Sequence, residues 1–472
     1  MIPARVRAFL AALLLLLTGS AVAEGVTLPA FHRFELDNGT VLLLSQAPEV
    51  PLVSVTAILR AGAVADPPGR SGLANLVASL LEKGAGDRDA AQFAEAVGAS
   101  GGNLTSRAEL ETITISGTFL ARDAGLMVEL LSDMILRPGL DETELEKLRE
   151  RSINFIRAAK DTNLNAVLPI YGQAFLFGEH PYGNPVSGSE TTLSGIRHED
   201  VLDFYEQQLG GDRLTIAVTG DFDVALMNSR LADAFGDWRP AAATLPEIEA
   251  APQETGRRVL LIDKPGATQT YFWLGNVGVA RDYENRAALD IANTVFGGRF
   301  TSMLNTALRV NSGLTYGAGS RLSRASLPGS IAITSFTPTE STVEAIDMAL
   351  GVLGRLHEFG VDEETLESAR NYILGRFPTA LETAAQLGSQ LAALEAFGLD
   401  VSYINDYGAA LMSTDTEGVA AAIKEVFPSA DDLVVVLLGD AELIREQVSK
   451  YGPLIEMPIT EPLFRPQPAA DE

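Results

Sequence analysis

The 472-residue sequence has no cysteine and only four histidines. Without cysteine there is no disulfide scaffold, no lipidated anchor and no thiolate, the commonest soft ligand for zinc. The histidines are His32, His180, His198 and His357. No two of them stand four apart around a helical glutamate, so a self-contained histidine-ligated metal site is not expected. Basic residues are scarce as well: 35 Lys and Arg stand against 62 Asp and Glu, a net charge of −27. Such a surface repels phosphate and excludes a nucleic-acid partner. Two readings of the acidity stay open, a solvated shell or an acidic cavity that draws in cationic peptides. There is no G-x-S-x-G nucleophile elbow, and Gly297-Gly298 lacks the lysine and the spacing of a phosphate loop. Beyond the N-terminus no apolar run approaches the ~20 residues that a membrane helix needs.

The N-terminus does carry a pattern. Arg5 and Arg7, the apolar run from Ala8 to Leu17, and Ala21-Val22-Ala23 have the layout of a secretory signal over residues 1–23. Export of a cysteine-free chain fits the periplasm of a Gram-negative bacterium, with no membrane span left after cleavage. Loss of Arg5 and Arg7 takes the mature chain to −29.

The mature chain is written twice. GLDETELEKLRERSINFIRA begins at Gly139 and GVDEETLESARNYILGRF at Gly360, an offset of 221. An apolar strand closes each half on Gly-Asp, at Gly220-Asp221 and Gly439-Asp440, an offset of 219. Two landmarks that agree this closely indicate a duplicated unit. The segment 239–256, rich in Pro and Ala, reads as the linker. The halves are then 24–238 and 257–452, with an extended tail over 453–472 on the surface.

Within each half, alternating strands group with amphipathic helices. The first half predicts a hairpin at Asn38-Gly39 with both residues at positive φ, and strands over 52–64 and 110–120. Helices are expected over 72–84, 89–97, 122–136 and 142–158. The second half predicts strands over 257–263, 269–277, 316–322 and 331–336, and helices over 283–295, 342–359 and 363–374. The fold class is α+β, two homologous halves with helices packed on one face of each sheet. The linker would permit the halves to move.

Five segments carry a more specific likeness. GLANLVASLLEKG (72–84) is an amphipathic helix, FGEHPYGNPVSG (177–188) a loop after the long helices, and the two Gly-Asp strands close the halves. The fifth, FGGRFTSMLNTALRVNSGLTYGAGS (296–320), places Arg309 and Tyr316 seven apart across a glycine turn. Together they resemble the insulinase/pitrilysin metallopeptidases, whose zinc helix carries the inverted motif His-x-x-Glu-His. Here Asn75, Ala78 and Ser79 occupy the three motif positions. Leu148, Asn154 and Phe155 fall where the family has glutamates on a later helix, one of them the third zinc ligand.

The resemblance implies a clamshell of the insulinase or mitochondrial-processing-peptidase type. It also implies a subunit with no metal of its own, inactive alone, that keeps the family's Arg–Tyr pair. Zinc would come from a zinc-bearing sister subunit, and Arg309 and Tyr316 would hold a peptide substrate in the resulting heterodimer. A guanidinium offers a planar fork to a carbonyl or carboxylate, and a phenol can donate to the oxyanion that develops when a peptide is attacked. Two alternatives stay open. One is a degenerate peptidase fold that binds peptides or supports an assembly without proteolysis, the other an enzyme with a relocated metal site.

Overall fold

The computed structural model describes residues 26–466; the signal read in residues 1–23 lies outside the described residues. Apolar runs build two six-stranded sheets whose inner strands are buried almost throughout. The first contains β1 (His32–Glu35), β2 (Val41–Gln46), β3 (Leu52–Leu59), β4 (Asn103–Ala108), β5 (Ile113–Leu120) and β6 (Leu214–Gly220). Its order is β1-β2-β6-β3-β5-β4. The second contains β7 (Arg258–Asp263), β8 (Gln269–Val277), β9 (Ala318–Leu322), β10 (Ser330–Pro338), β11 (Val434–Gly439) and β12 (Leu454–Pro458). Read from its β12 edge, the order is β12-β7-β11-β8-β10-β9.

The two sheets repeat one topology. The closing strand of each half, β6 or β11, lies parallel to β2 or β7 and antiparallel to β3 or β8 respectively. The exception is the outer edge: β1 pairs antiparallel with β2, whereas β12 pairs parallel with β7. Strand β12 belongs to the C-terminal segment expected to lie extended on the surface. The segment completes the second sheet as an edge strand and then buries Phe464 edge-on against Tyr171, ring centroids 4.9 Å apart.

The Asn38-Gly39 turn also differs from its reading. Only Gly39 has positive φ, and the loop is held by Leu36 N–H on Thr40 O and Gly39 N–H on Leu36 O. Asn38 stays in ordinary backbone because its side chain bonds the carbonyls of Phe235 and Trp238 and the N–H of Thr40.

The helices that matter here are α1 (Leu73–Leu81), α2 (Ala124–Leu136), α3 (Glu142–Thr162), α4 (Leu164–Phe177), α5 (Arg286–Asn293), α6 (Thr342–Phe359), α7 (Glu363–Arg376) and α8 (Ala384–Ala396). Val53, Val55, Ala57 and Leu59 of β3 pack with α1, α2 and α3. Val259, Leu261, Phe272, Leu274, Val435 and Leu437 pack with α5, α6 and α7. Each half thus has its own helices on one face of its sheet.

The opposite faces are covered by an exchange. Val41, Leu43, Ile58 and Ala217 of the first sheet receive Leu387, Leu391, Ala392 and Ala396 of α8, from the second half. Leu260, Ile262, Trp273, Val434, Val436 and Leu438 of the second sheet share a core with Val167, Leu168 and Tyr171 of α4, from the first. Gly172 lets α4 lie on the indole, since a Cβ there would stand 2.6 Å from Trp273. Gly388 does the same for α8, with a Cβ 3.1 Å from the Thr219 hydroxyl, which itself bonds Ala384 O.

The linker is held down rather than slack. Ala243 N–H bonds Gln207 O, Arg213 reaches Ala243 O, and Asn276 exchanges hydrogen bonds with the backbone of Glu254. Parting the halves would strip α4 and α8 from their sheets and expose both apolar faces to water. The mobility that the linker composition suggested is therefore opposed by the packing. Among the described residues, no helix is long and apolar enough to cross a membrane.

Candidate functional site

Helix α1 is fixed at its start by a buried carboxylate. Gly72 takes φ 95° as the N-cap, and Asp66 accepts the N–H groups of Gly72 at 2.8 Å and Ala74 at 2.7 Å. Burial pushes the Asp66 carboxyl up to about 7, against the pull of these backbone donors. The ordinary carboxylate value is about 4, so the folded state holds this proton more tightly than the unfolded chain. The stabilisation is complete below about pH 4 and is lost as the pH rises through about 7. Against Asp66→Asn, an uncharged mimic of the protonated acid, the wild-type chain should lose stability steadily across that window. Urea midpoints of the two proteins that stay parallel from pH 4 to about 8 would refute it.

Seven of the nine residues of α1 are buried. Asn75 and Ser79, one turn apart, are half-buried, whereas Ala78 is completely enclosed. On α3, which packs against α1, Leu148 is buried, Asn154 is exposed and Phe155 stands 73% exposed. An amide, a methyl and a hydroxyl at the motif positions, with Leu148, Asn154 and Phe155 on the later helix, do not fit Zn²⁺, which requires imidazole, thiolate or carboxylate donors. Among the described residues no group of three or more His, Asp or Glu is placed to hold a metal ion. His180, His198 and His357 each contact a backbone carbonyl through Nε2, those of Glu249, Leu140 and Pro428.

Asn75 lines a mostly apolar cavity of about 440 Å³ together with Leu110, Pro169, Gln173, Phe177 and Asn184. The loop 177–188 closes it. From this loop Tyr182 donates to Glu111 at 2.6 Å and accepts Leu327 N–H at 3.1 Å, while Glu111 also accepts Ser326 N–H. The loop therefore fastens the first half to the second rather than hanging free.

Arg309 and Tyr316 occupy a different place. Arg309 lies in a wide π-helical turn, Thr306–Asn311, and a second such turn covers Thr294–Gly298. These rare turns occur frequently at functional sites; nothing in the residue pattern announced them. Gly313 turns the chain at φ 67°. The strand expected over 316–322 begins only at Ala318, because 314–317 is a loop clamped to β10. Thr337 Oγ1 donates to Leu314 O at 2.8 Å, and Ser335 Oγ donates to Gly317 O at 2.9 Å and to Thr315 Oγ1 at 3.2 Å.

Between these anchors Tyr316 stands 80% exposed. The guanidinium of Arg309 lies 4.9 Å above the ring of Phe300, itself 61% exposed. Buried Asn305 ties the parts together, donating to Phe300 O at 2.7 Å and accepting Ala318 N–H at 3.4 Å. Among the described residues, neither the Tyr316 hydroxyl nor the Arg309 guanidinium makes a hydrogen bond or ion pair. Both functional groups are thus available to something outside the chain.

A cavity of about 470 Å³ opens beside the pair, lined by Arg299, Phe300, Asn305, Gly317, Phe336 and Tyr372 among others. No carboxylate lines it, nor the cavity at Asn75. The acidic cavity that net charge left open is found at neither place. Asn75 lines the first of these cavities, and Phe300 and Gly317 line the second. The degenerate helix and the Arg–Tyr segment therefore open onto separate cavities of this chain. Phe300, Asn305 and Arg299 were not singled out by the sequence; only the run FGGRF, with glycines too crowded for a side chain, hinted at them. A Cβ at Gly297 would lie 2.2 Å from Ser320 N.

Comparison with known proteins gives the same picture. Residues 41–190 match the family described as Insulinase (Peptidase family M16), and residues 195–373 match the Peptidase M16 inactive domain. An uncharacterized zinc protease of Mycobacterium leprae is 26% identical over 383 residues, covering 80% of this chain and 85% of its own. A protein of Helicobacter pylori described as a non-peptidase homolog is 20% identical over 364 residues, 77% of this chain and 83% of its own. Among solved structures, a peptidase M16 inactive domain from Pseudomonas fluorescens superposes with TM-score 0.81 at 21% identity, over 87% of this chain and 98% of that one. The periplasmic protease PqqL of Escherichia coli superposes with TM-score 0.74 at 14% identity, over 88% of this chain and 46% of its own. With both halves matched and Asn75, Ala78 and Ser79 at the three positions of the zinc motif, the chain belongs to the insulinase family as a member without the family's metal-binding motif.

Proposed function

We propose that this chain is the non-catalytic, Arg–Tyr-bearing subunit of a periplasmic zinc metallopeptidase that hydrolyses peptides, with zinc supplied by a sister subunit. One observation carries the reading. Arg309 and Tyr316 are exposed on a segment braced by Asn305, Ser335 and Thr337, yet neither side chain bonds any described residue. A guanidinium and a phenol held this way can take a peptide carbonyl and the oxyanion that forms from it, a role that needs no metal ligand on the same chain. The signal pattern of residues 1–23 and the fold shared with a periplasmic protease support the compartment. Curated relatives described as zinc proteases support the partner's chemistry.

The test is reconstitution. The mature chain and a co-expressed relative with an intact His-x-x-Glu-His helix are each expected to be inactive on an unfolded peptide, and the mixture active. A relative with full activity alone, unchanged on adding this chain, would refute the assignment. The second reading, peptide binding without proteolysis, is favoured by the non-peptidase homolog. It predicts association or peptide binding in that mixture with no hydrolysis.

A further inference from the structure

In a mature chain of charge −29 most arginines have a carboxylate or a backbone carbonyl to answer them. Three that gather around one cavity do not. Arg299 lines the cavity, donates one Nη to Ser368 Oγ at 2.9 Å and leaves its buried Nε without a partner. Arg376 donates to the hydroxyl of Tyr372, another lining residue, at 2.7 Å. Arg309 rests on Phe300, which lines the cavity from the other side. None of the ion pairs among the described residues includes Arg299, Arg309 or Arg376, and no Asp or Glu lines the cavity.

We propose that this cavity receives a carboxylate of the bound peptide, read chiefly by Arg299, so that the chain prefers acidic peptide segments. The inference rests on the peptide-binding reading above and adds the substrate class to it. The remaining surface is acidic and repels such a segment, so an uncompensated guanidinium here supplies the local attraction. An arginine fork binds a carboxylate through parallel N–H bonds, about twice as strong as neutral ones. Phe300, Phe336 and Tyr372 enclose the aliphatic part of the incoming residue and reduce the screening of that contact by water. The carboxylate can belong to an Asp or Glu side chain or to the peptide's own C-terminus.

The experiment uses the mature chain and fluorescence anisotropy of labelled ten-residue peptides that differ only in a central Glu, Gln or Lys. Each is made with a free and an amidated C-terminus. The expected result is binding of the Glu peptide about tenfold tighter than its Gln twin. If the terminus is the group read, amidation instead causes the loss, and the free-acid peptides bind alike. Arg299→Met should abolish the preference and Arg299→Lys retain part of it. Ser368→Ala, which removes only the hydrogen bond to Arg299, should keep most of it. A melting curve for each variant separates misfolding from lost recognition. Equal binding of all six peptides by the wild type would overturn the inference while leaving the peptide-binding reading intact. The same holds for an undiminished preference in a folded Arg299→Met. Absence of any peptide binding would overturn both.

Discussion

Arg309→Ala is expected to lower peptide hydrolysis by the reconstituted two-chain mixture about a hundredfold or more, the cost of removing one preorganised donor of roughly 3 kcal/mol. The effect should be this large because the Arg309 guanidinium does no structural work beyond resting on the face of Phe300. Tyr316→Phe keeps the ring and removes only the hydroxyl. Its loss should fall on kcat with KM little changed, as for a contact made only when charge develops on the substrate. Both variants should melt like the wild type, since Tyr316 is exposed and the loop beneath it is held by Thr315, Ser335 and Thr337. Steady-state kinetics on one fluorogenic peptide decides the matter. Undiminished turnover with Arg309→Ala would remove the pair from the mechanism.

The second large effect concerns stability. Trp273→Ala should cost about 3–5 kcal/mol, the range for deleting a fully buried aromatic. Trp273 is the residue of the second sheet on which the first half's α4 rests, at the close approach made by Gly172. Gly172→Ala attacks the same contact from the helix side by overpacking and should cost about 1–3 kcal/mol. Because α4 and α8 are exchanged between the halves, both variants should shift one common unfolding transition. Urea unfolding followed by far-ultraviolet circular dichroism and by tryptophan fluorescence tests this. Two separate transitions, or a Trp273→Ala midpoint within error of wild type, would show that the exchanged helices do not lock the halves.

The sequence by itself determined the duplication, the α+β class, the two Gly-Asp closing strands and the chemistry missing from α1. These are properties of residue type and spacing. Period-two alternation in Ile113–Leu120 states which residues face a core, and Asn75, Ala78 and Ser79 offer neither imidazole nor carboxylate in any conformation. Arg309 and Tyr316 were legible through resemblance alone, since seven residues across a glycine turn fix no surroundings.

Tertiary structure decided the rest. Helices α4 and α8 gave no signal because each is apolar or small around much of its circumference, one including Pro169, so no polar face marks a period. Their placement on the opposite half's sheet depends on Trp273, Thr219 and two glycines far apart in the chain. The C-terminal segment read only as an extended tail, because its five-residue edge strand pairs with the free side of β7, a partner far away in the chain. The charge at the Arg–Tyr cavity likewise inverted what composition suggested. Net charge sums over the whole surface, whereas the field in a cavity is set by the few groups that line it, and those come from distant parts of the chain.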